Sequence, residues 1–299
     1  MVGALFLNIK AAFPSVVLEH LLHGMWKRGI PREYTEWIRR KVTNRTTRIS
    51  FDDFRSSVKA INCGIDQGCP ISGILFIFYN ADLLDITNKK NGEDSLAVVD
   101  DTTLLATGAD LAEAFGKLEQ IMTRENGALD WSLTHKCRFA LNKFGLMGFT
   151  RKRETAHSGN KKTRPIMRPT INLPGQTILP STSHKFLGVL LDQELRFKEQ
   201  AAYALDKGTK WTEQYRRLAK GTNGISAKHM TVFYFTIALP KMLYTADLFL
   251  ITGSKKTKGM VGFINKLARV HRQALLSITG AMNTTAMATL EAHANIPPF

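Results

Sequence analysis

Apolar positions recur along this chain with two periods, and the switches between them mark out its elements. Residues 2–7, VGALFL, form an unbroken apolar run of strand length and read as a short buried strand. Val17, Leu21, Leu22 and Met25 fall at helical spacing within 16–28, and Gly29-Ile30-Pro31 stops that helix. A second helix is predicted over 34–42, with a basic end at Arg39-Arg40-Lys41. Residues 46–51 and 54–61 alternate like paired strands around Asp52-Asp53. After a turn over 64–70, residues 71–84 predict a strongly apolar helix. Residues 96–99 and 103–106 predict a buried hairpin. Leu111, Ala114, Phe115, Leu118, Ile121 and Met122 mark an amphipathic helix over 111–125. Residues 139–149 predict a strand pair or an edge strand, and 177–179 and 185–191 two short strands. From 197 onward the pattern is mostly helical, most clearly over 261–278, which ends at Gly280.

Composition changes the picture in one respect. Lys and Arg total 41 against 25 Asp and Glu, a formal net charge of +16. That excess favours a polyanionic partner, nucleic acid before membrane, over a soluble protein that merely happens to be basic. Residues 151–170, RKRETAHSGNKKTRPIMRPT, concentrate charge and lack large apolar side chains, so an exposed basic loop is expected. A solvated charge run and a direct nucleic-acid contact both fit it. The three cysteines, Cys63, Cys69 and Cys137, have no metal-ligand spacing and read as reduced thiols of an intracellular protein. The longest apolar runs fall short of the roughly 18 residues of a membrane span, and MVGALFLNIK has no signal-peptide form. A strand that begins at the second residue suggests a chain that starts inside a larger fold.

Candidate chemistry sits in SLAVVDDTTLLAT, residues 95–107. Asp100 and Asp101 lie between two apolar runs with no Lys or Arg nearby in sequence. Turns favour Asp for local hydrogen bonds, which accounts for Asp101. Asp100 follows four apolar residues, and a carboxylate ending a buried strand is costly unless a positive charge meets it. A hard divalent cation such as Mg²⁺ suits oxygen donors of this kind.

VVDD followed by TTLL resembles the catalytic motif C of reverse transcriptases. LFLNIKAAF (5–13) resembles their motif A, GIDQGCPISGILF (64–76) motif B, LNKFGLMGF (141–149) motif D and HKFLGVLL (184–191) motif E. Five motifs in family order, over about the first 200 residues, resemble the polymerase domain of non-LTR, LINE-like retrotransposons. The helical tail is similar, more loosely, to their thumb and connector. The resemblance implies an α+β fold. A polymerase palm, an antiparallel sheet packed on helices, spans 1–195 with a basic loop at 151–175. A mostly helical thumb or connector follows over 196–299, and fingers are largely absent. It also implies RNA-directed DNA synthesis with an RNA template, a DNA primer and deoxynucleoside triphosphates, no membrane, and Mg²⁺ or Mn²⁺ as cofactor. In that chemistry one ion lowers the pKa of the primer 3′-hydroxyl and the other holds the triphosphate.

Carried over position by position, Asp100 and Asp101 are the metal-binding carboxylates, and Asn8 stands where motif A has its own. An amide offers one neutral oxygen and cannot bridge two cations, so polymerase activity is expected to be crippled or lost. Phe13 matches the gate that excludes a ribose 2′-hydroxyl, or is a plain core Phe. Gln67 and Gly68 match contacts to the incoming nucleotide. Asp66 and Gly73 stand where proline is common, which puts the shape of that turn in question. Lys143 matches the motif D proton donor to pyrophosphate, or is a surface lysine. Lys10 is expected near the triphosphate or a nearby carboxylate. Two other readings are carried with the polymerase. One is a non-catalytic RNA- or DNA-binding remnant of a retroelement, and the other a chain that forms no stable protein.

Overall fold

The computed structural model describes residues 1–155, 163–219, 224–250 and 258–298 and divides the chain into two compact units, Met1–Leu187 and Gly188–Phe299. The first unit rests on a four-stranded antiparallel sheet. Its strands are β1 (Val2–Leu7), β2 (Glu93–Val98), β3 (Asp101–Thr107) and β4 (Gly145–Phe149), in the spatial order β2-β3-β1-β4. β1 is therefore interior. It pairs from Val2 with Thr107 to Leu7 with Thr102 on one side, and from Val2 with Phe149 to Phe6 with Gly145 on the other. A strand without proline or charge suits a position with neighbours on both edges, and Gly3 to Leu7 are all buried.

Helices α1 (Leu18–Lys27), α2 (Arg32–Val42), α3 (Pro70–Leu84) and α4 (Leu111–Thr123) accompany the sheet. α4 carries its predicted apolar stripe inward. Its first turn is capped by the Asp110 carboxylate, which accepts the Glu113 N–H at 2.8 Å, while the Glu113 carboxylate accepts the Ala109 N–H at 2.7 Å. Small residues let α4 lie close to the sheet: a Cβ on Gly3 would come within 2.9 Å of the Phe115 ring, and one on Gly148 within 3.0 Å of Leu111. Leu5, Leu7, Leu104, Leu146, Phe115, Leu118 and Ile121 join Phe76, Tyr79 and Leu83 of α3 in one core. Each such side chain contributes about 1.5–3 kcal/mol on burial. α3 begins with Pro70 in its first turn, where a missing N–H costs nothing.

Several sequence expectations are corrected in detail. The hairpin over 96–106 is longer than expected, and only its outer strand, β2, lies at a sheet edge. Leu96 and Val98 are 48% and 43% exposed, so Asp100 does not end a buried strand. The 45–61 hairpin is paired in two pieces, Arg45–Thr47 with Lys59–Ile61 and Ser50–Phe51 with Phe54–Arg55, around the Asp52-Asp53 turn. The basic segment is not wholly loop, since Arg153–Thr155 pairs with Thr163–Pro165; its connection, 156–162, lies outside the described residues. Ile171–Leu173 and Gln176–Ile178 form a hairpin where one strand was expected. Pro174-Gly175 makes its turn, with Gly175 at φ +82°. Residues 185–191 are broken into Ser183–Phe186 and Val189–Asp192 by Leu187 and Gly188, both at positive φ.

The second unit contains two long helices, α5 (Lys198–Leu218) and α6 (Lys258–Thr279), with shorter ones between and after them. Its core is separate and includes Tyr215, Met230, Tyr234, Met242, Leu267, Leu275 and Leu290. A π-helical turn at Tyr234–Ala238 precedes Pro240, which lacks the N–H that an α-helix would direct to the Thr236 carbonyl. No described helix is long and apolar enough to cross a membrane.

Candidate active site

The acidic pair straddles the end of a strand. Val98 faces Asp101 as the last pair of the β2–β3 hairpin, so Val99 and Asp100 alone form the turn and Asp101 begins β3. Val99 has φ +59° while Asp100 stays at negative φ. That pattern matches a type II′ hairpin, whose first central position favours glycine. A β-branched residue there stores backbone strain of about 1–3 kcal/mol. Asn80 of α3, 1% exposed, donates from Nδ2 to the Val99 carbonyl at 3.3 Å and to the Thr102 hydroxyl at 2.8 Å.

Asn8 is the first residue beyond β1. One more step of the β1–β3 register sets it opposite Asp101, with Asp100 next to it in the turn. The Asn8 carbonyl accepts the Ala140 N–H at 2.8 Å, and Ile9 bridges Phe139, which ties this end of β1 to the segment before β4. Strand alternation puts Phe6 and Asn8, like Asp101 and Thr103, on the sheet face turned away from α4.

His184 occupies the same face. Its ring stacks on Phe6 with centroids 4.2 Å apart and lies over Gly145, where any Cβ would overlap the imidazole. Burial pushes the His184 pKa down, and the Asp101 carboxylate partly offsets this. Burial also pushes the Asp101 carboxyl up, the Asp100 charge adds to that, and His184 opposes it. Nothing in the sequence singled out His184 as a site residue. The available signal was a polar side chain two positions before Phe186, itself packed against Phe6.

Residues 13–14 and 64–65 are in close contact. Gly64, at φ +77°, has no room for a Cβ, which would lie 2.7 Å from the Pro14 backbone. The Phe13 carbonyl accepts the Ile65 N–H at 2.9 Å. Phe13 is half-buried, with its ring 5.4 Å from that of Phe76. Gln67 and Gly68 follow on the surface, with Gly68 at φ +89°. Asp66, in place of proline, is 2.6 Å from Arg45 Nη1, and Arg45 also donates to the carbonyls of Val42, Cys63 and Gly64. Lys10 and Lys143 are exposed, and neither forms an ion pair among the described residues. Lys143 lies in a 3₁₀ turn, Leu141–Lys143, just before β4.

The donor set around the turn is thus two carboxylates and one amide. Among the described residues no three His, Cys, Asp or Glu side chains converge in a way that could hold a metal ion. Asp100 and Asp101 supply hard oxygens suited to one divalent cation, but a pair of cations bridged from β1 does not fit Asn8.

The family described as reverse transcriptase (RNA-dependent DNA polymerase) matches residues 2–191. Two curated relatives are each an RNA-directed DNA polymerase from mobile element jockey, one of Drosophila funebris and one of Drosophila melanogaster. Both are 23% identical to this chain, over 93% and 94% of it, and the matches cover 28% of each relative. The chain spans little more than a quarter of their length. Among solved structures, telomerase from Candida albicans with a TWJ fragment of telomeric RNA covers 100% of this chain and 51% of its own, at 11% identity and a TM-score of 0.42. Apo telomerase from Candida tropicalis covers 98% and 53%, at 10% identity and a TM-score of 0.42. Superposition at that level is no guide to chemistry.

Proposed function

Because this chain belongs to the reverse transcriptase (RNA-dependent DNA polymerase) family, we propose that it is the palm and following helical segment of a non-LTR retrotransposon polymerase whose nucleotidyl transfer is impaired at Asn8. The observation that carries this reading is the register that sets Asn8 across from Asp101 beside Asp100. That register supports a three-carboxylate arrangement in which one carboxylate has become an amide. Reverse transcriptases generally use Mg²⁺ or Mn²⁺. For this chain the ligands are Asp100 and Asp101, with Gln67, Gly68, Phe13 and Lys10 on the nucleotide side and Lys143 as the proton donor. The template is RNA, the primer DNA and the substrates deoxynucleoside triphosphates.

The test is primer extension on poly(rA) with an oligo(dT) primer, in Mg²⁺ and in Mn²⁺, by the natural chain and by Asn8→Asp. The natural chain should sit at or near background. Restoring the carboxylate should raise extension by more than the roughly 10–100-fold that outer-sphere changes at metal sites cost. An Asn8→Asp protein that folds and binds the duplex yet gains nothing would refute the reading.

The net charge of +16 favours a second reading, a non-catalytic nucleic-acid binder. Tight, salt-sensitive RNA binding together with an inert Asn8→Asp variant would select it.

A further inference from the structure

We propose that Asn80 is a positioning residue for the Val99–Asp100 turn, acting from the helix that follows the Gln67-Gly68 loop. Three observations converge on it. The turn holds a β-branched residue at φ +59°, a conformation it will leave unless its surroundings hold it there. Both groups that grip the turn from α3 are donated by one amide, to the Val99 carbonyl and to the Thr102 hydroxyl, on either side of the acidic pair. Asn80 is 1% exposed, and its Oδ1 has no partner among the described residues. A buried amide with one end unsatisfied is an expensive choice for a core position where leucine would pack. Its side-chain hydrogen bonds go to the turn and to the strand that leaves it.

The neighbouring contacts make α3 a firm base for this grip. Tyr79 accepts the Val17 N–H at 3.2 Å and donates to the His135 carbonyl. Asp82 binds Lys27, the last residue of α1, at 3.0 Å and Arg28, just beyond it, at 2.9 Å. The same helix starts at the nucleotide-side loop, so a shift of α3 on nucleotide binding would be felt at the aspartates through Asn80. This last step rests on the polymerase reading above; the grip on the turn does not.

The experiment uses the full chain. Asn80→Leu keeps the side-chain outline and removes both donated bonds. Amide exchange across residues 98–102 should accelerate by about tenfold or more, with β1 and α4 unchanged. In the Asn8→Asp background the same change should lower kcat by about 10–100-fold while leaving duplex affinity and the KM for nucleotide in place, a split that simple loss of fold would not produce. Should Asn80→Leu fail to fold, Asn80→Ala removes both donated bonds with a smaller side chain and is read the same way. Val99→Gly removes the strain and should shrink the effect of Asn80→Leu on exchange. Unaltered exchange at 98–102 overturns the proposal. So does an effect that Val99→Gly leaves at full size. An Asn8→Asp protein without activity defeats the polymerase reading instead, and leaves the exchange result to decide Asn80.

Discussion

Arg45 and Asp66 form an ion pair at 2.6 Å that fastens the loop before Gln67 to the end of α2. The two partners are unequal. The Arg45 side chain is 13% exposed and also satisfies three backbone carbonyls, whereas Asp66 is 47% exposed. Arg45→Met should therefore cost about 1.5–3 kcal/mol, the range for charged hydrogen bonds removed from buried partners. Asp66→Asn should cost under about 1 kcal/mol. Denaturant melts of the two variants decide this, and equal losses would contradict it.

Glu93, at the start of β2, is buried and binds Arg124 at 2.9 Å, with further bonds from the Asn88 N–H and Asn91. Burial alone would push this carboxyl up, but the Arg124 guanidinium and the two hydrogen bonds hold it below its ordinary value. Its stabilisation is thus complete above the unfolded value of about 4.3 and is lost as pH falls through the lower folded value. Arg124→Met strips the partner from a buried charge and should cost roughly 3 kcal/mol near neutrality, and less in acid as the carboxyl protonates. Stability measured from pH 7 to pH 3 should show the variant and the natural chain converging; parallel curves would refute the pairing.

Gly145 and His184 should be coupled. Gly145→Ala forces the imidazole off the sheet and should destabilise by about 1–3 kcal/mol. His184→Ala opens that space, so the double variant should recover most of the Gly145→Ala loss. A double-mutant cycle in denaturant with no coupling would contradict the placement of the ring over Gly145.

Nucleic-acid binding should be electrostatic and independent of the aspartates. Affinity for single-stranded RNA should fall linearly on logarithmic axes, by about 300-fold between 50 and 200 mM salt if some six phosphates are contacted. Asp100→Asn should leave that slope unaltered. Binding that ignores salt would remove charge as its basis.

Much of this molecule is legible in residue order. β1 and α3 follow from their apolar runs and α4 from its helical period, because each is buried and the pattern must match that burial. The acidic pair is equally visible, since adjacent carboxylates amid apolar residues have few explanations. Strand order is less so. That β2 is an edge, with Leu96 and Val98 in solvent, depends on which strands lie beside it, and local pattern carries no such information. Asn80 and His184 are harder still. An asparagine inside an apolar helix reads as a blemish until the turn it grips is seen beside it, and a histidine before a short strand gains meaning only from Gly145, some forty positions earlier.

The interior place of β1 bears on how the chain matures. Among the described residues its six positions pair with 102–107 and 145–149, so on the ribosome they emerge well before those partners can zip onto either edge. Pairings between such distant stretches close slowly, and a bare VGALFL segment is prone to self-association while it waits. The yield of folded protein should depend on synthesis rate and on chaperones more strongly than the strength of the finished sheet would suggest.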